Sequence, residues 1–454
     1  MTQTQYESFL ASKAIVAPAK GVEVSDTDPL HPAMFDHQRA CTRWAIRKGR
    51  SALFKGTGTG KTFDELVWAQ YSGKRVLNLA PLGVARQTVR EGERWGIPVV
   101  YARSMAESPS EGITITNYEM VDHFDPDAYD AVVCDESSIL KDFTSKTRTK
   151  LIAMFRDTPR KLCGTATPAP NDIAEIANHA EFLGLMTREE MLATFFVHDD
   201  TGWRLKGYAR DAFYRWLASW AMSMNKPSDL GFSDDGYDLP PLTVTPVTVR
   251  ANYRPKDQLF AVGLKGITDR SAVRKETVDS RVAVAAELIQ SEDVSWIAWV
   301  GRNDEGQRLA KVLPEAVLIE GSQPPDEKAD KIDRFSEGRA RVVISKCSIT
   351  GQGLNWQHCA RQVFVGLSDS WEAYYQAIRR SWRFAQTQPV KIYVVISEPE
   401  QVIYENVLRK EREAQRMTDE LIRHVKDYEV EEIHGRRRIA YTPTTSMRVP
   451  AWSA

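Results

Sequence analysis

Gly56-Thr57-Gly58-Thr59-Gly60-Lys61-Thr62 closes the apolar stretch Ala52-Leu53-Phe54 and opens a helical one. Strand, glycine-rich turn and helix in that order are what a phosphate-binding loop requires. Glycines let the backbone curl so that successive N–H groups point at phosphate oxygens. Lys61 neutralises the β and γ phosphates, and the Thr62 hydroxyl can ligate Mg²⁺. The full G-x-x-x-x-G-K-T spelling would put glycine at position 55, where this chain has Lys55, so only its G-x-G-K-T half is present. A glycine turn beside an exposed lysine has the same letters, and the reading needs support elsewhere.

That support comes from Tyr129-Asp130-Ala131-Val132-Val133-Cys134-Asp135-Glu136, an apolar run without alternation that ends in two carboxylates. Such a run reads as a strand buried on both faces. Carboxylates at the carboxyl end of a parallel strand lie in the crevice where open α/β sheets bind ligands. Asp135 would hold Mg²⁺ through its water shell, and Glu136 would polarise the water that attacks the γ-phosphate. A bare acidic turn would leave the coincidence with Lys61 unexplained.

The chain has 454 residues, 42% of them hydrophobic and 27% charged, which suits two globular domains with additions. Lys plus Arg number 60 against 61 Asp plus Glu, so any basic groove for nucleic acid must be local. Five scattered cysteines without C-x-x-C spacing read as reduced core thiols, and eight unclustered histidines argue against zinc. With neither a signal peptide nor an apolar run of about 18 residues, the expected location is the cytosol.

Strand-like and helix-like segments alternate from about residue 31, which predicts an α/β fold with parallel sheets wrapped by helices. We expect an N-terminal extension over 1–30, a first lobe over 31–180 and a helical bridge over 181–242 with its own aromatic cluster. A second α/β lobe without a phosphate loop follows over 243–400, with a helix expected from Trp371 to Trp382, and then a helical tail and flexible end over 401–454. Mixed charge in the tail reads as a solvated helix, and Arg436-Arg437-Arg438 as a basic triplet able to meet phosphates. On the second lobe, Arg380 and Arg383 share a helical face and could serve as arginine fingers, groups that contribute about 10³–10⁵ in rate. Individually weak surface salt bridges are the plainer use of such a face. Ser348 to Gln357 reads as a glycine-containing loop approaching a ligand or the facing lobe.

The ordered set Gln38, G-T-G-T-G-K-T, Asp135-Glu136-Ser137-Ser138, Thr165-Ala166-Thr167, Gly351-Gln352-Gly353-Leu354-Asn355 and Gln376-x-x-x-Arg380-x-x-Arg383-x-x-Gln386 resembles the superfamily-two helicases. Within them it looks most like the Swi/Snf-type translocases on double-stranded DNA. Two departures stand out: Ser137-Ser138 where that branch has Ala-His, and Lys55-Gly56-Thr57-Gly58-Thr59 where it has Asp-Glu-Met-Gly-Leu.

The resemblance implies two RecA-like lobes with an ATP and Mg²⁺ site in the cleft. It implies that Gln38 reads the adenine, that residues 56–62 with Gly351 and Gly353 hold the nucleotide, and that Thr62 and Asp135 bind the metal. Lys61, Asp135, Glu136, Arg380 and Arg383 would run hydrolysis, and Thr165, Thr167 and Gln376 would couple it to lobe movement. Pro81, Asn117, Arg302 and Lys346 match positions that touch the nucleic-acid backbone. The expected activity is ATP-driven movement along duplex DNA, largely without sequence preference. The alternatives are an RNA-directed or fork-unwinding helicase of the same superfamily, or a nucleotide-gated DNA-binding adaptor with little turnover. So compact a chain suits a stand-alone motor such as a virus, phage or mobile element would carry.

Overall fold

The computed structural model describes residues 15–142, 144–170, 172–199, 202–250, 274–351, 354–368 and 370–434. The strands are β1 (Arg50–Lys55), β2 (Arg75–Ala80), β3 (Val99–Tyr101), β4 (Gly112–Asn117), β5 (Ala131–Asp135), β6 (Arg160–Thr165), β7 (Phe196–Asp199), β8 (Gly202–Leu205), β9 (Ala221–Met224), β10 (Leu242–Val249), β11 (Trp296–Val300), β12 (Val317–Ile319), β13 (Val342–Ser345), β14 (Arg361–Val365) and β15 (Val390–Ser397). They build a seven-stranded sheet in the order β3-β4-β2-β5-β6-β1-β9 and a six-stranded one in the order β10-β15-β14-β11-β13-β12. Every pairing in both is parallel.

Helices cover both faces of each sheet, which is why the strands read as unbroken apolar runs. In β5, Val132 and Cys134 pack into one core while Ala131 and Val133 pack into another on the opposite face. In β11, Ile297 and Trp299 face one way, and Trp296, Ala298 and Val300 the other. Because all strands of the first sheet run the same way, the loop after β1, the acidic pair after β5 and Thr165 at the end of β6 emerge along one edge. In the order β5-β6-β1, Thr165 stands between the other two.

Two segments differ from the sequence expectation. The stretch expected as a helical bridge holds the helices Arg188–Phe195 and Arg210–Ala218, but also the antiparallel β7–β8 hairpin and β9, which pairs with β1. Its aromatic residues pack together as expected, but in the core of the first lobe rather than in a cluster of their own: Phe195, Phe213, Trp216 and Trp220 are all buried. The charged tail is likewise no freely solvated rod. It forms the 34-residue helix Gln401–His434. Ile403, Val407, Ala414, Leu421 and Val425 are buried, at spacings that give one apolar stripe. Val407 and Ala414 lie in the second lobe's core, while Leu421 and Val425 lie in the first lobe's core. Near its end, Glu429 accepts a hydrogen bond from the Ser223 N–H of β9 at 2.7 Å. Arg436, Arg437 and Arg438 lie outside the described residues.

Candidate nucleotide site

The phosphate loop runs directly from β1 into the helix Lys61–Ser72, capped by Gly60 at φ 82°. A side chain at 60 would be strained in that left-handed conformation, and its Cβ would fall 2.1 Å from Gln38 Nε2. Gln38 is thereby seated against the loop: its Nε2 donates to the carbonyls of Thr59 and Gly60 at 3.5 and 3.4 Å, and its Oε1 accepts from the Phe35 N–H at 3.0 Å. Thr59 Oγ1 closes the turn by donating to the Gly56 carbonyl at 2.7 Å.

Lys61 Nζ lies 3.7 Å from Glu136 Oε1 and makes no hydrogen bond. Burial alone would lower the Lys61 pKa, but the carboxylates of Glu136, Asp135 and Glu65 hold it above its ordinary value. Burial, and then the neighbouring Glu136, push Asp135 up to about 7 against the pull of Lys61. Glu136 itself has φ 51° and ψ 49°, a left-handed conformation that costs a non-glycine residue about 1–2 kcal/mol. The strand end is held by Tyr118, whose hydroxyl donates to the Asp135 carbonyl at 2.6 Å. Ser137, where the resembled branch has alanine, lies 3.2 Å from His179 Nε2.

Beside the acidic pair, Thr165 Oγ1 accepts from the Thr167 N–H at 3.1 Å, leaving the buried Thr167 hydroxyl without a partner. The second lobe brings in its arginines by another route than expected. The helix that starts at Trp371 ends at Ile378, so Arg380 and Arg383 sit in the following turns and not on one helical face. They converge all the same, because both donate to the Leu354 carbonyl, at 3.0 and 3.2 Å. Gln376 holds Arg380 twice, through its carbonyl and its Oε1. Burial lowers the pKa of both arginines, and the charge of Glu136, from the other lobe, opposes that shift in each.

Between the lobes lies a cleft of about 1000 Å³ that reaches Glu136 and is lined by Pro81 and Asn117 among others. Arg302 and Lys346 are not part of its lining; Arg302 pairs with Asp304 at 2.8 Å. Ion pairs from Arg86 to Asp326 at 2.7 Å and from Arg90 to Asp333 at 2.8 Å join the two lobes across it. Gly351 ends the short helix Cys347–Thr350, and Gly353 lies outside the described residues.

Several residues at the site carry no motif letter. Lys55, in the missing glycine's place, forms a fully buried ion pair with Asp64. Glu65 is buried with neither carboxylate oxygen bonded, and it occupies the space a side chain on Gly164 would need, since a Cβ there would come within 1.8 Å. A lysine where glycine was expected, with acids nine and ten residues on, was the available signal for both.

The donor set fits a nucleotide triphosphate with a divalent ion. Lys61 Nζ, on the first residue of a helix whose N-terminus favours anions, and Thr57 Oγ1, in the loop before it, are buried without a hydrogen-bond partner inside the protein. Among the described residues there is no separate cluster of three or more metal-ligating side chains and no helix long and apolar enough to cross a membrane.

Residues 289–385 match the helicase conserved C-terminal domain. That match and the two below support a helicase of the superfamily-two type. The chain is 21% identical over 424 residues to the mouse (Mus musculus) DNA annealing helicase and endonuclease ZRANB3, a match over 82% of this chain and 39% of that protein. It therefore spans about two fifths of that relative's length. S. cerevisiae Dbp5 bound to RNA and ADP BeF3 superposes with a TM-score of 0.54 at 14% identity, over 85% of this chain and 93% of that one. That likeness establishes the two-lobed fold. Helicases use ATP, usually with Mg²⁺.

Proposed function

We propose that this helicase-type chain is a nucleic-acid-stimulated ATPase of the Swi/Snf-like branch that moves along duplex DNA. The observation that carries the reading is the position of Glu136, 3.7 Å from Lys61 in its own lobe and lining the same cleft as Leu354, whose carbonyl takes hydrogen bonds from both Arg380 and Arg383 in the other. Charge developing on a γ-phosphoryl group beside Glu136 would meet cations from both lobes, which is the arrangement phosphoryl transfer needs. In this mechanism Lys61 exchanges its contact with Glu136 for phosphate oxygens, and the freed carboxylate orients the attacking water. A magnesium ion held by Thr62 and Asp135 would supply neutralisation of phosphate charge. Thr165 and Thr167, between the two catalytic strands, would pass the loss of γ-phosphate to the lobe interface.

DNA is favoured as the track by the motif spacing Q-x-x-x-R-x-x-R-x-x-Q and by the mouse relative, which is named for acting on DNA. The test is ATP hydrolysis with no polymer, single-stranded DNA, duplex DNA or RNA, with Glu136→Gln as control. Strong duplex stimulation that the variant lacks supports the reading. Stronger RNA stimulation moves the protein to an RNA-directed role, and absence of turnover under every condition removes the motor reading.

A further inference from the structure

The turn that follows Glu136 is held at both ends by one helix. Glu136 takes its left-handed conformation immediately before the short turn Ser137–Leu140. At the start of that turn, Ser137 Oγ lies 3.2 Å from His179 Nε2; just past its end, the Lys141 carbonyl accepts from Asn178 Nδ2 at 2.8 Å. Asn178 and His179 are neighbours on the helix Ile176–Leu183. That helix is tied in turn to the strands that bear the rest of the site. Near its C-terminal end, the Phe182 carbonyl accepts from Lys161 of β6 at 3.0 Å, and the Leu183 carbonyl from Arg50 of β1 at 3.3 Å. The His179 ring also meets Phe54, two residues before Gly56, edge-on with centroids 5.2 Å apart.

Burial alone does not account for a histidine here. Ser137 and His179 are both fully buried, yet His179 Nδ1 has no hydrogen-bond partner inside the protein. An apolar side chain would fill the same space without that cost. Burial holds the ring at about 4, so it is neutral and has one N–H to give. Hydrogen on Nε2 is the tautomer we assign, since it donates to Ser137 and leaves no buried N–H orphaned. A left-handed glutamate, for its part, persists only where its surroundings impose it. We propose that His179 is a positioning residue for Glu136: through Ser137 it fixes the strained turn so that the carboxylate faces the γ-phosphate position, while Asn178 secures the far end. This rests on the hydrolysis reading above and goes beyond it. His179 acts through Ser137 and needs no contact with the nucleotide.

The experiment compares the full-length wild type with Ser137→Ala, His179→Leu and His179→Gln, whose side-chain amide replaces the Nε2–H donor. Hydrogen exchange of the nucleotide-free protein reads the turn, ATP hydrolysis with Mg²⁺ reads kcat, and titration calorimetry with Mg²⁺ and ADP reads affinity. In Ser137→Ala and His179→Leu, residues 136–141 should exchange roughly 2- to 10-fold faster, the range set by one hydrogen bond, with β1 and β5 as protected as before. Their kcat should fall roughly 10- to 100-fold, the usual result of losing a group that orients a reacting one. ADP affinity should stay within about twofold, and His179→Gln should stay near wild type. A histidine with only a structural role would lower stability and leave kcat unchanged well below the melting temperature. Unchanged kcat or unchanged exchange in Ser137→Ala and His179→Leu overturns the proposal. So does loss of kcat in step with ADP affinity, or a His179→Gln no better than His179→Leu. If His179→Leu does not fold, Ser137→Ala decides by the same criteria. Wild type that hydrolyses no ATP with any polymer overturns the hydrolysis reading and this role with it, whereas wild-type turnover that the variants share overturns this role alone.

Discussion

Lys61 Nζ and Glu136 Oε1 lie 3.7 Å apart, with the two side chains 11% and 10% exposed. The residue assigned to phosphate and the residue assigned to water are thus each other's counter-charge. On the proposed reading, phosphate enters between partners that already balance, so each group is preorganised without an isolated buried charge.

Glu136→Gln keeps the shape and removes the charge. Nucleotide binding should persist while kcat falls about 10²–10⁴-fold, the contribution typical of a positioned general base. Lys61→Ala should instead weaken nucleotide binding. Parallel measurements of Kd and kcat separate the two, and wild-type turnover in the Glu136→Gln variant would remove Glu136 from the mechanism.

Arg380 and Arg383 share the Leu354 carbonyl but differ in burial: Arg380 is 2% exposed and also held by Gln376, and Arg383 is only partly covered. Arg383→Ala should cut kcat by about 10³-fold or more with little change in Tm. Arg380→Ala should cut kcat and also lower Tm, because its loss leaves the Leu354 carbonyl and the Gln376 side chain short of a donor. Thermal melts beside steady-state kinetics check both.

The buried Lys55–Asp64 pair offers a double-mutant cycle. Lys55→Met alone leaves a buried carboxylate without its cation and should cost about 3–5 kcal/mol of stability. Adding Asp64→Leu should recover most of that loss, since well-packed apolar residues often replace a buried pair at little cost. Urea denaturation of the three variants and wild type tests it, and a double variant no more stable than Lys55→Met would contradict it.

Burial, and then the nearby Lys55 charge, hold His37 down at about 3; burial holds His179 at about 4. Both are neutral in the folded protein at pH 5, whereas in the unfolded chain they take up protons below about pH 6.5. The unfolded state then binds more protons, so these groups contribute stability that is full above pH 6.5 and is lost as pH falls towards 3–4. Each contributes a slope of at most about 1.4 kcal/mol per pH unit in that window. His37→Gln should therefore show a shallower loss of stability than wild type between pH 6.5 and 4.5, measured by denaturant melts at each pH.

The glycine-rich turn and the acidic strand end were legible as local structure because their signals are local. Each sits at the end of a strand whose apolar run announces it, and Lys61-Thr62 must follow Gly60 for the backbone to turn into the helix. Arg380 and Arg383 were legible as a pair but not in their geometry, since the helix period beyond Ile378 is overridden by hydrogen bonds to Leu354 and Gln376. β9 was missed because Ala221–Met224 is too short to show a strand pattern and becomes one only by pairing with β1. The apolar stripe of Gln401–His434 was hidden by the charges interleaved with it, and nothing in its letters says that its two ends serve different lobes.

By itself the sequence determined the alternation of parallel strands with helices, the glycine-rich turn into a helix, the acidic strand end and the two-lobed class, because these depend on backbone geometry over a few residues and on side-chain periodicity. Tertiary structure alone decided that Lys55 would meet Asp64, that the last helix would carry Glu429 to the edge of the first sheet, and that the rings of Phe35, Tyr237 and Phe384 would meet beside the glycine-rich loop. Those contacts join stretches up to about 350 residues apart. Their energies come from packing and from exclusion of water, which exist only once the chain is folded.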